Sequence, residues 1–128
     1  MTERKRIATP SAPAAIGPYS QAVAAGGWLH CSGQIAIDPS TGSLIQGDVA
    51  AQAEQVLRNL EAVLAAAGTD FSRAVRCTVY LVRMADFEAV NAVYARRFPG
   101  EAPPARATVA VAELPRGALV EIDCTALL

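Results

Sequence analysis

A single arginine interrupts a small and apolar segment in the C-terminal quarter of the chain. Arg106 is the only charged residue in the run Ala-Arg-Ala-Thr-Val-Ala-Val-Ala, and two prolines and an alanine precede it. A guanidinium in this setting can bind a carboxylate through two parallel hydrogen bonds, which predicts a carboxylate-binding site at a subunit boundary. The alternative is an arginine at a strand end that extends into solvent.

Two carboxylates follow in the last predicted strand. Glu121 and Asp123 share one face of it, opposite Val120, Ile122 and Cys124, because side chains alternate along a strand. At least one carboxylate therefore points away from the apolar core, where it is a candidate for acid or base chemistry. A solvated strand face is the alternative interpretation.

Three further positions break the local pattern. Asn91 lies on the apolar stripe of a predicted helix, where its amide needs either a helix-to-loop hydrogen bond or a ligand. Ser32 and Gly33 inside a strand predict close approach of another group to the backbone or a β-bulge. Tyr19, beside a Gly-Pro turn, is a candidate site residue or a core residue whose hydroxyl is satisfied.

The sequence offers little for metal or nucleophilic chemistry. Cys31, Cys77 and Cys124 are odd in number and form no CxxC pair, so we expect reduced thiols, without a disulfide framework or zinc site. His30 is the single histidine and would point away from its neighbour Cys31 in a strand. A catalytic triad could be built only around His30, which disfavours that chemistry.

The hydropathy pattern predicts the elements that position these residues. Apolar periodicity indicates two helices, one from the N-cap Asp48 to Gly68 and one from the N-cap Asp86 to Pro99-Gly100, the second with an inner stripe of Phe87, Val90, Asn91, Tyr94 and Phe98. Strands are predicted at 19–25, 28–35, 75–82, 105–112 and 119–127. The order is β-β-α-β-α-β-β, and three prolines predict an extended or irregular arm over 1–18.

Two helices can cover only one face of a sheet of about five strands. The segments 75–82 and 105–112 carry apolar or small residues on both faces, so the second face is not patterned for water. We therefore expect it to be buried against other copies of the chain, as a homo-oligomer.

Length and composition set the class of protein. The 128 residues fit a single domain over 1–128, and 52% hydrophobic against 18% charged residues excludes a disordered chain. Eleven basic and twelve acidic residues leave a net charge of −1, which gives no broad basic field for nucleic acid. No run reaches the roughly 18 apolar residues that span a bilayer. We expect a soluble, cytoplasmic protein.

These residues also carry a resemblance to the RidA family, also called YjgF/YER057c/UK114, over nearly the whole chain. The matching motifs are Ala15-Ile16-Gly17-Pro18-Tyr19-Ser20-Gln21, Cys31-Ser32-Gly33-Gln34-Ile35, Phe87-Glu88-Ala89-Val90-Asn91-Ala92-Val93-Tyr94, and Pro104-Ala105-Arg106 through Glu113-Leu114-Pro115 with Val120-Glu121-Ile122. The resemblance implies a chorismate-mutase-like (YjgF-like) α+β fold and a trimer with clefts between neighbouring subunits.

The resemblance also implies an activity, that of a 2-iminobutanoate/2-iminopropanoate deaminase. Such a hydrolase converts reactive enamines and imines to 2-keto acids and ammonia, without a cofactor. A non-catalytic or regulatory member that binds small carboxylates is the alternative, and an endoribonuclease is disfavoured by the charge balance.

By position, the resemblance implies that Arg106 binds the substrate carboxylate and that Glu121 orients the attacking water. The same comparison implies a cleft lining of Tyr19, Ser32, Gly33, Asn91 and Thr108. Many relatives carry a cysteine where this chain has Thr108, so thiol chemistry at that position is not expected here.

Overall fold

The computed structural model describes residues 3–128. It contains two helices and eight strands, several of them short. The strands are β1 (Arg4–Ile7), β2 (Ala22–Ala25), β3 (Trp28–Gln34), β4 (Ile37–Asp38), β5 (Ser43–Leu44), β6 (Ala74–Leu81), β7 (Ala105–Ala110) and β8 (Val120–Leu127), and the helices are α1 (Val49–Ala66) and α2 (Phe87–Ala95).

Six strands form one mixed sheet in the order β1-β2-β3-β8-β6-β7, and β4 and β5 form a separate small hairpin. All pairs in the large sheet are antiparallel except β6 with β7, which are parallel and joined through α2. The predicted α+β class and the predicted order of the main elements are confirmed. The hairpin β4–β5 is an element that the sequence did not predict.

The N-terminal arm contributes a strand that the sequence analysis did not predict. Residues 4–7 are extended, as expected, but they pair with β2 and add a sixth strand to the sheet. Gln21 holds the segment that follows: its buried side-chain amide donates to the carbonyl oxygens of Thr9, Ala12 and Pro13. The proline-rich stretch is therefore fixed by tertiary hydrogen bonds. Residues 1 and 2 of the arm lie outside the described part.

The helix α1 begins and ends where the sequence predicts. The Asp48 carboxylate accepts from the N–H of Ala51 at 2.9 Å, and Gly68 follows the last turn with φ +82°, a left-handed conformation that suits glycine. Its inner stripe is fully buried against the sheet: Val56, Leu57, Leu60, Val63 and Leu64. Each such side chain contributes roughly 1.5–3 kcal/mol by burial, so this stripe anchors the helical layer.

The second helix differs from the prediction at both ends. Asp86 makes no side-chain cap hydrogen bond, because it already belongs to a 3₁₀ turn, Met84–Asp86, and has helical backbone angles (φ −83°, ψ −2°). The helix ends at Ala95, so Phe98 lies beyond it. Of the predicted stripe, Val90 and Tyr94 are buried, with Val93 in addition. Within residues 3–128 neither helix is long and apolar enough to cross a membrane.

Burial alternates along the central strand β8. Val120, Ile122, Cys124 and Ala126 are buried under the helices, whereas Glu121 and Asp123 point to the opposite face, which we call the open face. Large apolar side chains are exposed on this face, among them Trp28 (40%) and Val109 (41%). The helices thus cover one face only, as the sequence predicts.

Candidate functional site

Arg106 lies on the edge strand β7 and points to the helix-covered face. Its register partner on β6 is Cys77, which is buried beneath the helices, and register partners in a sheet point to the same side. The guanidinium Nη1 donates to Asn91 Oδ1 at 2.7 Å. The same guanidinium contacts the rings of Phe87 and Tyr94 on α2, so Arg106 packs against this helix although the residue remains exposed.

Asn91 therefore has a partner that the sequence analysis did not consider. The expected alternatives were a hydrogen bond to a loop and a contact with a ligand. In the structure, the Asn91 side chain instead accepts a hydrogen bond from an arginine of β7. This contact occupies one of five guanidinium N–H donors. Arg106 and Asn91 line a cleft of about 380 Å³ together with Pro103 and Pro104, and Thr108 follows Arg106 on the same side of β7, opposite Val79.

Glu121 occupies the other face of the sheet. Its partner on β6 is Tyr80, three residues from Cys77, so its side chain points away from the helices. The carboxylate is half-buried, and its pKa is raised by this desolvation and, to a smaller extent, by the neighbouring charge of Asp123. A raised pKa favours a group that exchanges protons near neutral pH.

Asp123 is engaged in structural hydrogen bonds on the same face. One carboxylate oxygen accepts from the backbone N–H of Thr78 at 3.0 Å, and the other accepts from the Tyr80 hydroxyl at 3.1 Å. Both oxygens of Asp123 thus have donors within the protein. Of the two carboxylates predicted as acid or base candidates, Glu121 is therefore the better one.

The strand β3 contains both features that Ser32-Gly33 predicts. The register with β8 shifts by one residue between Cys31 and Gln34, which is a β-bulge. Gly33 also lies so close to Glu121 that a Cβ there would overlap the carboxylate and approach its Cδ to 2.9 Å. The absence of a side chain at position 33 therefore lets the Glu121 carboxylate lie over the strand.

Ser32 and Tyr19 belong to the same region. The Ser32 hydroxyl donates to the Ser20 carbonyl oxygen at 2.6 Å, and its backbone N–H donates to the Gln21 carbonyl oxygen at 2.9 Å. Ser32 thus fixes the segment that carries Tyr19. Tyr19 is 53% exposed, so it is not a core residue, and it lines a cleft of about 460 Å³ with Gly33 and Glu121.

The predicted site residues therefore form two groups. Arg106, Asn91 and Thr108 adjoin one cleft system under α2, and Tyr19, Gly33 and Glu121 adjoin another on the open face, with Ser32 holding the second in place. The two charged residues lie on opposite faces of the sheet, with β6 between their strands. A single chain does not bring them together.

Arg116 is a further candidate residue at this cleft that the sequence did not single out. It lies in the turn Pro115–Gly117, has φ +58°, and donates from Nη1 to the Gly42 carbonyl oxygen at 3.0 Å. It lines the same cleft as Glu121. The available signal was a cation just ahead of the strand that carries Glu121, but arginines in surface turns are too common for this to be decisive.

Cys31, Cys77 and Cys124 are free and buried. Cys31, Cys124 and Cys77 are successive register partners across β3, β8 and β6, and burial raises the pKa of the Cys31 thiol to about 12. Among residues 3–128 no group of three or more His, Cys, Asp or Glu side chains could hold a metal ion. His30 is exposed on the open face, away from buried Cys31.

Comparison with known proteins identifies the family. A family model described as "Endoribonuclease L-PSP" matches residues 9–128. The chain belongs to this family. It is 60% identical over 126 residues to "Protein DfrA" of Myxococcus xanthus, covering 97% of this chain and 95% of that protein. It is 51% identical over 124 residues to a mouse protein named "2-iminobutanoate/2-iminopropanoate deaminase", covering 97% and 91% of the two chains.

A solved structure confirms the fold of this family. The Yersinia pestis protein YyfA, described as a conserved Rid family protein of unknown function, superposes with a TM-score of 0.96 at 46% identity. The alignment covers 98% of this chain and 100% of that one. The resemblance to the RidA family and the predicted YjgF-like fold are confirmed.

Proposed function

We propose that this RidA family member hydrolyses reactive 2-imino acids, derived from the enamines 2-aminoacrylate and 2-aminocrotonate, to 2-keto acids and ammonia. The observation that carries the proposal is the setting of Arg106. Its guanidinium is oriented by Asn91 and two aromatic rings at a cleft, and none of the three ion pairs among residues 3–128 involves it. Four N–H donors remain for the carboxylate of a substrate.

The reaction requires mainly positioning. Water attacks the imine carbon, the C=N electron pair moves to nitrogen, and the attacking water loses one proton while the nitrogen gains one. The hydroxyl of this tetrahedral intermediate then gives its proton to the nitrogen as the C–N bond breaks, so that the carbonyl forms and ammonia leaves. A carboxylate held by Arg106 fixes the imine carbon relative to the water, which lowers the entropic part of the barrier.

Glu121 is the group that we assign to the water. Its partial burial and raised pKa suit a carboxylate that accepts a proton from water and returns it to nitrogen. Tyr19 and Gly33 share its cleft and would line the bound substrate, with Asn91 and Thr108 beside Arg106.

The site that we propose is assembled between subunits of a homotrimer. Arg106 and Glu121 lie on opposite faces of one sheet, so a substrate held by both needs them from two chains. The exposed apolar side chains of the open face, such as Val109 and Trp28, favour burial against another copy. The number three follows from the family resemblance.

The names of the relatives support imine hydrolysis, but they also include a second activity. A mouse relative at 51% identity is named a 2-iminobutanoate/2-iminopropanoate deaminase, whereas the family description names an endoribonuclease. The net charge of −1 makes RNA the weaker candidate substrate, since RNA binding relies on basic surface. We propose no cofactor, and a cytoplasmic location, where three buried free thiols stay reduced.

The direct test couples the protein to a threonine dehydratase. With threonine present, the release of 2-oxobutanoate is timed in the presence of the parent protein, of Arg106→Ala, or of neither. The proposal predicts faster release with the parent protein only. Release at the spontaneous rate, with 2-oxobutanoate still bound in calorimetry, would support the non-catalytic carboxylate-binding alternative. RNA cleavage by the parent protein would support the ribonuclease.

A further inference from the structure

One face of α2 is built around the Arg106 side chain. Phe87, Asn91 and Tyr94 are spaced four and three residues apart, so they share one face of the helix. The Arg106 Cζ lies 4.8 Å from the centroid of the Tyr94 ring and 5.5 Å from that of Phe87. Both distances are within the range of a cation–π contact.

The Tyr94 ring is itself held by other rings. Tyr94 is only 6% exposed, its ring centroid is 4.6 Å from that of Phe98, and Phe98 in turn meets Phe71 edge-on at 5.2 Å. A column of three rings therefore connects the core to the guanidinium. Because close-packed rings have few alternative rotamers, Tyr94 offers Arg106 a fixed surface.

Tyr94 contacts the Arg106 guanidinium through its ring and not through its hydroxyl. The hydroxyl oxygen is buried without a hydrogen-bond partner in the part of the chain that the structure describes. Burial and the neighbouring Cys77 thiol raise the pKa of Tyr94, so the group stays neutral. A phenylalanine at position 94 would preserve what Arg106 contacts.

We infer that Tyr94 is a positioning residue for carboxylate binding by Arg106, an inference that rests on the proposed function. The ring restrains the plane of the guanidinium, and Asn91 takes one Nη1 hydrogen, which leaves the Nε–Nη2 edge for a substrate carboxylate. A long side chain on an edge strand otherwise loses conformational entropy when it binds. Because Arg106 already packs on Tyr94, part of this entropy is lost on folding, before the substrate binds.

The test is a double-mutant cycle between positions 94 and 106, read by the kcat/KM of imine hydrolysis. Tyr94→Leu keeps an apolar side chain but removes the ring, and we expect kcat/KM to fall about five- to thirtyfold, mainly through a higher KM. Tyr94→Phe should remain within about threefold of the parent protein. In the Arg106→Ala background, Tyr94→Leu should change kcat/KM no further.

Phe71→Leu is the matched control, because Phe71 belongs to the same ring column but does not contact Arg106. It should lower stability in urea without raising KM. The inference is wrong if Tyr94→Leu costs the same factor with and without Arg106, or if Phe71→Leu raises KM equally, because either result describes a merely structural ring.

A binding measurement separates this inference from the proposed reaction. Calorimetry with 2-oxobutanoate reports carboxylate binding even if the parent protein does not accelerate imine hydrolysis, which would contradict the reaction alone. We expect Tyr94→Leu to weaken 2-oxobutanoate binding and Tyr94→Phe to preserve it. Equal affinity in the parent protein and Tyr94→Leu, or no binding by the parent protein, would overturn the role of Tyr94.

Discussion

At the residue scale, two charged side chains line clefts without making an ion pair with any described residue. The three ion pairs within residues 3–128 involve Arg58, Arg97, Glu54 and Glu61, and neither Arg106 nor Glu121 takes part. An isolated charge contributes little to folding and loses solvation when it is partly buried. Such residues are informative about ligands, because a bound group of opposite charge can supply the missing interaction.

The first prediction concerns Arg106. Two charge-assisted hydrogen bonds to a carboxylate contribute roughly 1.5–3 kcal/mol each, so Arg106→Ala should lower kcat/KM by at least about 100-fold. Arg106→Lys keeps the charge but loses the planar fork, so it should stay closer to alanine than to the parent protein. Steady-state kinetics with dehydratase-generated imine measures both variants.

Stability provides the control for Arg106. Arg106 is exposed, and its protein contacts are one hydrogen bond and two ring contacts, so Arg106→Ala should shift the urea midpoint only slightly. If the variant unfolds while its remaining folded fraction turns over normally, then the arginine is structural.

The second prediction concerns Glu121, whose pKa is raised in the folded state. A carboxyl group of this kind leaves stability unaffected at low pH, where it is protonated in both states. Stability is lost as the pH rises through the folded pKa, because ionisation is then more favourable in the unfolded chain. Glu121→Gln should therefore be more stable than the parent protein at pH 7, although it loses activity.

Urea denaturation at several pH values measures this effect. The stability difference between Glu121→Gln and the parent protein should shrink as the pH falls and Glu121 takes up its proton. A Glu121→Gln variant that is less stable at pH 7 would contradict the assigned direction. In kinetics, kcat/KM of the parent protein should fall on the acidic side of the raised pKa.

At the element scale, the bulged segment of β3 contains Gly33, over which the Glu121 carboxylate lies. The third prediction is that Gly33→Ala lowers kcat/KM strongly with little loss of stability. Gly33 has no positive φ, so alanine suits its backbone, but the new Cβ would overlap the carboxylate. A flexible glutamate can move away at low cost to folding, while catalysis is sensitive to its displacement.

Gly100→Ala is the control for this substitution. Gly100 also lacks a positive φ, and no atom lies within 4 Å of a Cβ added there, so this variant tests the general effect of glycine replacement. Kinetics and urea denaturation of both variants make the comparison. Unchanged kcat/KM in Gly33→Ala would show that the close approach to Glu121 has no functional role.

Elements that are defined by interactions between residues close in the chain were predicted correctly, and elements that depend on distant residues were not. The ends of α1 depend on Asp48 and Gly68, which act within one turn, and the sequence predicted both correctly. β1 depends on pairing with β2, eighteen residues farther along, and no local signal marks it. Asp86 has the residue type of a cap, but a preceding 3₁₀ turn gives it a helical backbone.

The same reasoning applies to the site. Alternation along β8 correctly separated Glu121 from Cys124 and its apolar neighbours, since period two is a local property. The hydrogen bond from Arg106 to Asn91 depends on how α2 packs over β7, which spacing alone does not define. The placement of Arg106 and Glu121 on opposite faces required the strand order and register of the whole sheet.

At the scale of the whole molecule, the proposed site exists only between chains. The fourth prediction is therefore that two inactive variants restore activity to one another when they share an oligomer. Arg106→Ala retains Glu121, and Glu121→Gln retains Arg106, so a mixed trimer contains some interfaces at which both residues are intact. Light scattering coupled to gel filtration should first establish that each variant has about three chain masses.

This complementation is the most direct test of the central claim. The two variants are mixed in equal amounts, unfolded in urea and refolded together, and imine hydrolysis is compared with that of each variant refolded alone. Random assembly of a trimer predicts about one quarter of the parent activity, because each interface needs an intact residue from both neighbours. Mixed trimers that remain as inactive as the separate variants would contradict a site shared between chains.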